Sequence, residues 1–194
     1  SGWMPENSLM LLEVKGTKGT EYVALPTTDS YLDRAMKRAG AKECILRFEI
    51  TENFVHDTDS SCYSNLLHLN SIQKLNRILN KINEFTEPSR VSATMKYLAI
   101  TKIEGIEPFI RNMDKCEFFP DVFGYEALGS RLRVEYDIPD NIYELFGAEE
   151  IGKRFCEKNH GVFISGVGFY APTDEIYEAY VSQNMDGGIG TQNM

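Results

Sequence analysis

Residues 116–169 read CEFFPDVFGYEALGSRLRVEYDIPDNIYELFGAEEIGKRFCEKNHGVFISGVGF, and they decide the fold of the C-terminal part of the chain. An aromatic and acidic strand or turn at 117–121 is followed by a short helix and by a segment that starts at Pro139. A second helix is predicted over 148–158, and a strand punctuated by glycines over 162–169. This mixture of elements predicts an α+β module.

Two segments of this stretch echo each other, and each is a predicted helix with a glycine near its middle. They are YEALGSRL at 125–132 and GAEEIGKRF at 147–155. A glycine inside a helix costs roughly 0.5–1 kcal/mol relative to alanine, so it often marks a place where another backbone comes close. We therefore expect Gly129 and Gly152 to be contact points.

The N-terminal residues predict a β-β-α-β module. Two β-rich runs at 9–14 and 21–25 are separated by a glycine-containing loop of hairpin length, which predicts the start of a meander. Helix-start residues at 26–29 precede a helix that Gly40 ends, and 44–50 is a third strand. The apolar positions of the helix are Tyr31, Leu32, Ala35, Met36 and Ala39.

A helical module follows in the middle of the chain. Its most regular helix can be capped by Ser71, and its apolar positions follow the i, i+3, i+4, i+7 rule. These positions are Ile72, Leu75, Ile78, Leu79, Ile82 and Phe85. A second helix is predicted from Glu87 with Val91, Met95, Leu98 and Ala99 inward, and a third around 107–113 with a proline near its start.

The predicted organisation is thus an elongated α+β chain of small modules. The β-β-α-β module occupies 3–60, the helical module 61–113, and the second mixed module 114–175. Residues 176–194 have little apolar surface to bury and predict a mobile tail. The polar segment 51–65 predicts an exposed connection.

Charge is distributed unevenly along the chain. The net charge is −9; residues 114–194 hold 15 acids and six bases, whereas 61–113 hold four acids and seven bases. A negative field disfavours direct binding of nucleic acid. The acidity belongs to the C-terminal part.

The cysteines and the apolar runs predict a soluble cytoplasmic protein. Cys44, Cys62, Cys116 and Cys156 form no C-x-x-C pair, which favours reduced and buried thiols, with two disulfides in an exported domain as the alternative. The apolar runs are far shorter than the roughly 20 residues that cross a bilayer, so no membrane association is expected.

Metal-binding patterns fail on their spacing. Asp57 and Asp59 stand like the first ligands of a calcium loop, but the sixth position is Cys62 and the twelfth is His68 in place of glycine and glutamate. His56, Cys62 and His68 are spaced unlike known zinc ligands. The polar segment is interpreted as a loop, and no metal is predicted.

Catalytic patterns are equally weak. No G-x-S-x-G elbow occurs, and ISGVG at 164–168 is not followed by the helix start that a phosphate site needs. Its glycines predict a bulge or a close strand approach. His160 stands at a predicted helix end, where an imidazole can contact free carbonyls. The sequence predicts a protein that is not an enzyme and uses no cofactor; a small hydrolase would need a pocket with a nucleophile and a base.

Short motifs occur in a fixed order at both ends of the chain. They are LPTTDSYLDRAMKRAG at 25–40, F-x-I at 48–50, LNSIQKLN at 69–76, FP at 119–120, EALG at 126–129, IP at 138–139, EEIG at 149–152, GVF at 161–163 and GF at 168–169. This order resembles the ArdA-type antirestriction proteins of conjugative plasmids and transposons. The resemblance covers about 9–170.

The resemblance implies a function for the acidic part. It implies a homodimer of small α+β modules whose carboxylates imitate the phosphates of bent duplex DNA and occupy the DNA-binding groove of type I restriction-modification enzymes. It implies no direct contact with nucleic acid. The candidate residues of this surface are Glu117, Asp121, Glu126, Glu135, Asp137, Asp140, Glu144, Glu149, Glu150 and Glu157.

Two alternatives remain for the same part of the chain. The acids can form an ordinary solvated face. The protein can also be an interaction protein of a mobile element that keeps the ArdA-like fold without DNA mimicry and binds an unknown protein. In that case the aromatic residues Phe118, Phe119, Phe123, Tyr125 and Tyr143 are the expected contact surface.

Overall fold

The fold is mixed α+β, with six α-helices and two three-stranded antiparallel sheets among the described residues of a computed structural model. The structure describes residues 7–41, 47–50, 72–103 and 105–173. The chain divides into two compact units, Ser1–Arg111 and Asn112–Met194. The division of the first unit into two modules stays a prediction, and the predicted connection and tail lie outside the described residues.

The first unit contains β1 (Met10–Gly16), β2 (Gly19–Leu25), α1 (Asp29–Ala39), β3 (Arg47–Ile50), α2 (Ile72–Ile82) and α3 (Pro88–Ile100), and α4 (Ile106–Asn112) ends at its boundary. The second unit contains a 3₁₀ turn (Met113–Lys115), β4 (Glu117–Pro120), α5 (Tyr125–Glu135), α6 (Asp140–Lys158), β5 (Val162–Ile164) and β6 (Gly168–Ala171).

In the first sheet, β1 lies between β2 and β3, and all pairs are antiparallel. Gly16 is opposite Gly19, so the hairpin turn is shorter than the predicted loop. Alternate β1 residues are buried, and Leu12 is opposite both Val23 and Phe48. The predicted hairpin and the order β-β-α-β are confirmed, and β3 lies beside β1 on the side opposite β2.

The ends of α1 form as the sequence predicts. The Thr28 hydroxyl accepts a hydrogen bond from the Tyr31 N–H (3.2 Å), and Gly40 has the left-handed φ of 69° that ends many helices. Four of the five predicted apolar positions are buried. Tyr31 is the exception: it is exposed, and the Arg38 guanidinium lies 5.9 Å from its ring centroid.

Helix α2 is attached to the first sheet by asparagine side chains. Asn76 is fully buried; its amide donates to the Thr27 carbonyl (2.8 Å) and accepts from the Thr27 N–H (2.9 Å). Asn80 donates to the same carbonyl (3.1 Å), and Asn83 donates to the Asn7 carbonyl (2.7 Å). The three asparagines are spaced i, i+4, i+7 along α2. Their side chains therefore bind the backbone just before β1, at Asn7, and just after β2, at Thr27.

The predicted apolar face of α2 is buried, except that Phe85 lies beyond its end and is half-buried; Ser71 is outside the described residues. In α3, Met95, Leu98 and Ala99 are buried as predicted, whereas Val91 is half-buried. Helix α4 begins two residues before Pro108.

The second sheet has the order β4-β6-β5. The single strand predicted over 162–169 is wrong: the chain forms two strands joined by a turn at 165–167. Gly166 has a φ of 73°, and the Val167 N–H donates to the Ile164 carbonyl (3.0 Å). Because glycine adopts the left-handed region at little cost, the segment reverses at Gly166. The glycines were predicted to mark a bulge or a close strand approach, and the close approach occurs at Gly168, which faces the Phe119 backbone of β4.

Helix α6 consists of two helical segments, because Gly147 has a non-helical φ of 79° and ψ of 159°. The part after the break is the helix predicted over 148–158, and the part before it is the segment that Pro139 starts. The core of the second unit consists of Phe119, Val122, Leu128, Leu132, Ile138, Ile142, Ile151, Phe155, Cys156, Phe169 and Ala171. It fixes both helices against the sheet.

Candidate partner-binding surface

The scaffold of the acidic surface is the pair of helices α5 and α6, which meet at two glycines. A Cβ atom on Gly129 would lie 1.8 Å from the Ala148 carbonyl oxygen, and one on Gly152 would lie 1.9 Å from the Tyr125 carbonyl oxygen. Both predicted contact points are thus confirmed. Equivalent positions of the two echoing segments contact each other, so the pair has a local two-fold relation.

The buried faces of these helices determine which side chains point outward. Leu128, Leu132, Ile151 and Phe155 are fully buried. Six of the ten candidate acids are exposed residues of these two helices: Glu126, Glu135, Asp140, Glu144, Glu149 and Glu157. The exposed positions between the buried residues carry Ser130, Arg131 and Lys153.

Four of the ten candidate acids are engaged within the protein. Arg131 Nε donates to Glu135 (2.8 Å), Arg133 Nη2 to Asp140 (2.8 Å), and Arg154 Nε to Glu150 (2.9 Å). Glu117 accepts a hydrogen bond from the Tyr136 hydroxyl.

The other six acids are exposed and form no ion pair within the described part of the chain. They are Asp121, Glu126, Asp137, Glu144, Glu149 and Glu157. Asp121 and Asp137 have left-handed φ values of 61° and 49°, a conformation that aspartate tolerates better than most residues. The carboxylates of this group are available to a partner.

All three arginines of the described second unit also lie against aromatic rings. The distance from the guanidinium carbon to the ring centroid is 5.1 Å for Arg131 and Phe119, 4.2 Å for Arg133 and Tyr143, and 4.5 Å for Arg154 and Phe146. The hydrogen bond to Asp140 raises the pKa of Arg133 further above its usual range.

The sequence did not predict these arginine contacts. The spacing of Arg131 and Glu135, and of Glu150 and Arg154, gives a signal for the ion pairs within helices. The ring contacts depend on tertiary packing.

The aromatic surface of the alternative hypothesis is only partly exposed. Phe119 is buried, which removes it from any contact surface, while Phe118, Tyr125 and Tyr143 are half-buried. Phe123 is 47% exposed. Two aliphatic residues that the sequence analysis did not select are more exposed, Val134 at 78% and Leu145 at 70%.

The thiols of the second unit are buried. Cys116 and Cys156 are not joined in a disulfide, and the Cys156 thiol donates to the Gly161 carbonyl (3.2 Å). Burial, and secondly the Glu157 charge, raises the pKa of Cys156 to about 11. Such a thiol is protonated at neutral pH and a poor nucleophile. Cys44 and Cys62 lie outside the described residues.

The end of α6 is capped by its own backbone. The Asn159 N–H donates to the Phe155 carbonyl (3.0 Å) and the Gly161 N–H to the Cys156 carbonyl (2.8 Å). His160 lies between them with a φ of 55°. The imidazole contact to helix carbonyls stays a prediction.

The metal-ligand candidates of the sequence analysis, His56, Asp57, Asp59, Cys62 and His68, lie outside the described residues. Within the residues that are described, no group of three or more histidine, cysteine or acidic side chains could hold a metal ion. Among the described helices, none has the length and apolar character needed to cross a membrane.

The chain matches no protein-family model, no curated protein and no solved structure. The structure gives several motif residues a packing role: Thr28 caps α1, Gly129 and Gly152 let two helices touch, and a Cβ on Gly168 would lie 2.3 Å from the Phe119 carbonyl oxygen.

Proposed function

We propose that this chain is an ArdA-like antirestriction protein, a non-enzymatic DNA mimic that binds type I restriction-modification enzymes in the cytoplasm as a homodimer. The observation that carries the proposal is the asymmetry of charge on the second unit. Six exposed carboxylates form no ion pair among the described residues, whereas each arginine is paired with a carboxylate and lies against a ring. The three lysines of the same residues, Lys115, Lys153 and Lys158, are also exposed, so beyond the arginine pairs the surface presents six carboxylates against three ammonium groups.

A second observation concerns two of the segments that carry the resemblance. The segment 25–40 and residues 72–76 of the segment 69–76 are distant in sequence but in contact in the structure. Asn76 of the later segment makes both of its 2.8 and 2.9 Å hydrogen bonds to Thr27 of the earlier one. The two motifs are therefore joined directly by hydrogen bonds in this chain.

The net charge of the second unit can be compared with the charge of duplex DNA of the same length. Residues 112–173 carry 11 acids and six bases, a net charge of −5. A compact unit of this length is about 27 Å across, and duplex DNA carries about 16 charges over that distance. The unit offers about a third of that charge, so we expect inhibition to be strongest at low salt and to weaken steeply as salt screens the surface.

The proposal is tested by adding the purified full-length chain to a type I restriction-modification enzyme and measuring DNA cleavage at several salt concentrations. We expect inhibition that falls as salt increases. No inhibition at the lowest salt concentration contradicts the proposal.

Two double variants with equal net charge make the test specific. Glu144→Gln with Glu157→Gln removes unpaired carboxylates outside a first helical turn, whereas Glu135→Gln with Glu150→Gln removes carboxylates already paired with arginine. We expect the first pair to weaken inhibition more than the second. Equal effects would mean that inhibition depends only on total charge. It would then make no difference whether a carboxylate is unpaired or paired with arginine.

The alternative function, a mobile-element interaction protein without mimicry, is favoured by one observation. Val134 and Leu145 expose most of their aliphatic surface. A double change to Ser at these two positions leaves inhibition unchanged if carboxylates carry binding. If it abolishes binding to a partner while the carboxylate variants do not, the alternative is preferred.

A further inference from the structure

The three arginines of the second unit each combine an ion pair with a contact to an aromatic ring. A lysine would give the same net charge without this combination. Each makes an ion pair of 2.8–2.9 Å and also lies within 5.1 Å of an aromatic ring centroid. A guanidinium is planar and weakly hydrated, so it stacks on a ring while it donates in plane to a carboxylate. Lysine has a compact, strongly hydrated ammonium and cannot reproduce both contacts.

The contacts connect different parts of the unit. Arg131 joins α5 to Phe119 of β4, and Arg133 joins α5 to Tyr143 in the first segment of α6. Arg154 reaches across the break at Gly147 to Phe146. Every guanidinium is thereby held along the protein surface.

We propose that Arg131, Arg133 and Arg154 are positioning residues that hold their positive charge beside the aromatic rings, so that these three guanidinium groups do not project between the exposed carboxylates and a cationic partner. This inference rests on the proposed function, because it concerns the same surface. It specifies the partner's chemistry: a groove lined with lysine or arginine is attracted by carboxylates and repelled by a cation that projects from between them.

Arginine-to-lysine substitutions change where the positive group lies without changing the net charge. They therefore distinguish the effect of guanidinium placement on inhibition from the effect of total charge. Arg133→Lys and Arg154→Lys keep the net charge at −9 but replace the stacked guanidinium with an ammonium that extends into solvent. The matched control is Arg38→Lys in the first unit, because Arg38 also combines an ion pair, to Glu21 at 2.9 Å, with a ring, Tyr31 at 5.9 Å. Tyr143→Leu provides a second variant, since it removes the ring and keeps the arginine.

The readout is the half-inhibitory concentration of the full-length chain against a type I restriction-modification enzyme at low and high salt. We expect an increase of about two- to fivefold for R133K, R154K and Y143L, which is the affinity equivalent of one exposed cation–π contact. The increase should shrink at high salt, whereas a purely structural defect would not depend on salt in this way. R38K should inhibit like the wild type.

The outcomes are distinguishable. If the wild type does not inhibit at low salt, the proposed function fails, and this inference fails with it. If the wild type inhibits and R133K, R154K and Y143L match it, or if R38K changes inhibition as much, the positioning role is overturned while the proposed function stands. Circular dichroism and the urea midpoint of each variant show whether the variant has lost structure. If a variant has lost structure and its inhibition is weakened equally at every salt concentration, the positioning role is also overturned.

Discussion

Replacing Gly129 or Gly152 by alanine should destabilise the second unit, although alanine is the better helix former. The added Cβ atoms would lie 1.8 and 1.9 Å from the carbonyl oxygens of Ala148 and Tyr125. A carbon–oxygen contact normally lies near 3.3–3.6 Å, so each pair of backbones must separate by roughly 1.5 Å. Backbone atoms cannot rotate away as a flexible side chain can, so the helices themselves must move.

The net effect follows from two opposing terms. Overpacking of this kind typically costs about 1–3 kcal/mol and occasionally more, and the exchange of a helical glycine for alanine returns about 0.5–1 kcal/mol. Since the required displacement is large, we expect each single variant to lose about 2 kcal/mol. The double variant should lose less than the sum, because separation of the helices for one Cβ relieves the other.

The assay must report on the second unit, because two compact units need not unfold together. Native-state hydrogen exchange of amides in α5 and α6, with urea unfolding followed by circular dichroism, gives that free energy. Ser130→Ala is the control: it changes an exposed residue of the same helix and should stay within about 0.5 kcal/mol. A stabilised G129A or G152A would refute the reasoning, since helix propensity alone predicts that result.

Three further predictions concern the cap, the buried amide and the thiol. Thr28→Ala removes the acceptor for the Tyr31 N–H and should lower the free energy of unfolding by about 1 kcal/mol in urea titrations, whereas Thr28→Ser should retain most of it. Asn76→Leu leaves the Thr27 N–H without its partner and should cost about 1–3 kcal/mol in the same titration; an unchanged midpoint would show that water replaces the amide. The pKa of Cys156 is raised from 9.0 to about 11, so its contribution to stability is present below pH 9.0 and lost as pH rises towards 11. Unfolding free energies across this range should fall more for the wild type than for Cys156→Ala, and equal slopes would contradict the assignment.

The helices were predictable because their signals are local. Thr28 and Gly40 mark the ends of α1 in the sequence, and the apolar spacing of α2 identifies its buried face. The two mid-helix glycines were also identifiable, because glycine is costly in a helix without a packing reason. Each of these predictions depends on residues within a few turns of one another.

The missed features depend on distant or ambiguous partners. Asn76 lies in a polar position of a helical pattern, and only the approach of Thr27 explains its burial. The glycine at 166 fits a bulge and a turn equally well from sequence alone. The rings beneath Arg131, Arg133 and Arg154 are brought there by packing of the core, which no local pattern specifies.

The central claim is that the carboxylates of the second unit occupy the place of DNA on a type I restriction-modification enzyme. The most direct measurement is a competition experiment in which labelled duplex DNA is bound to the enzyme and the full-length chain is titrated in at low salt. The account predicts displacement of the duplex, with a weaker effect for Glu144→Gln combined with Glu157→Gln. Binding of the chain to the enzyme while the duplex stays bound would contradict mimicry.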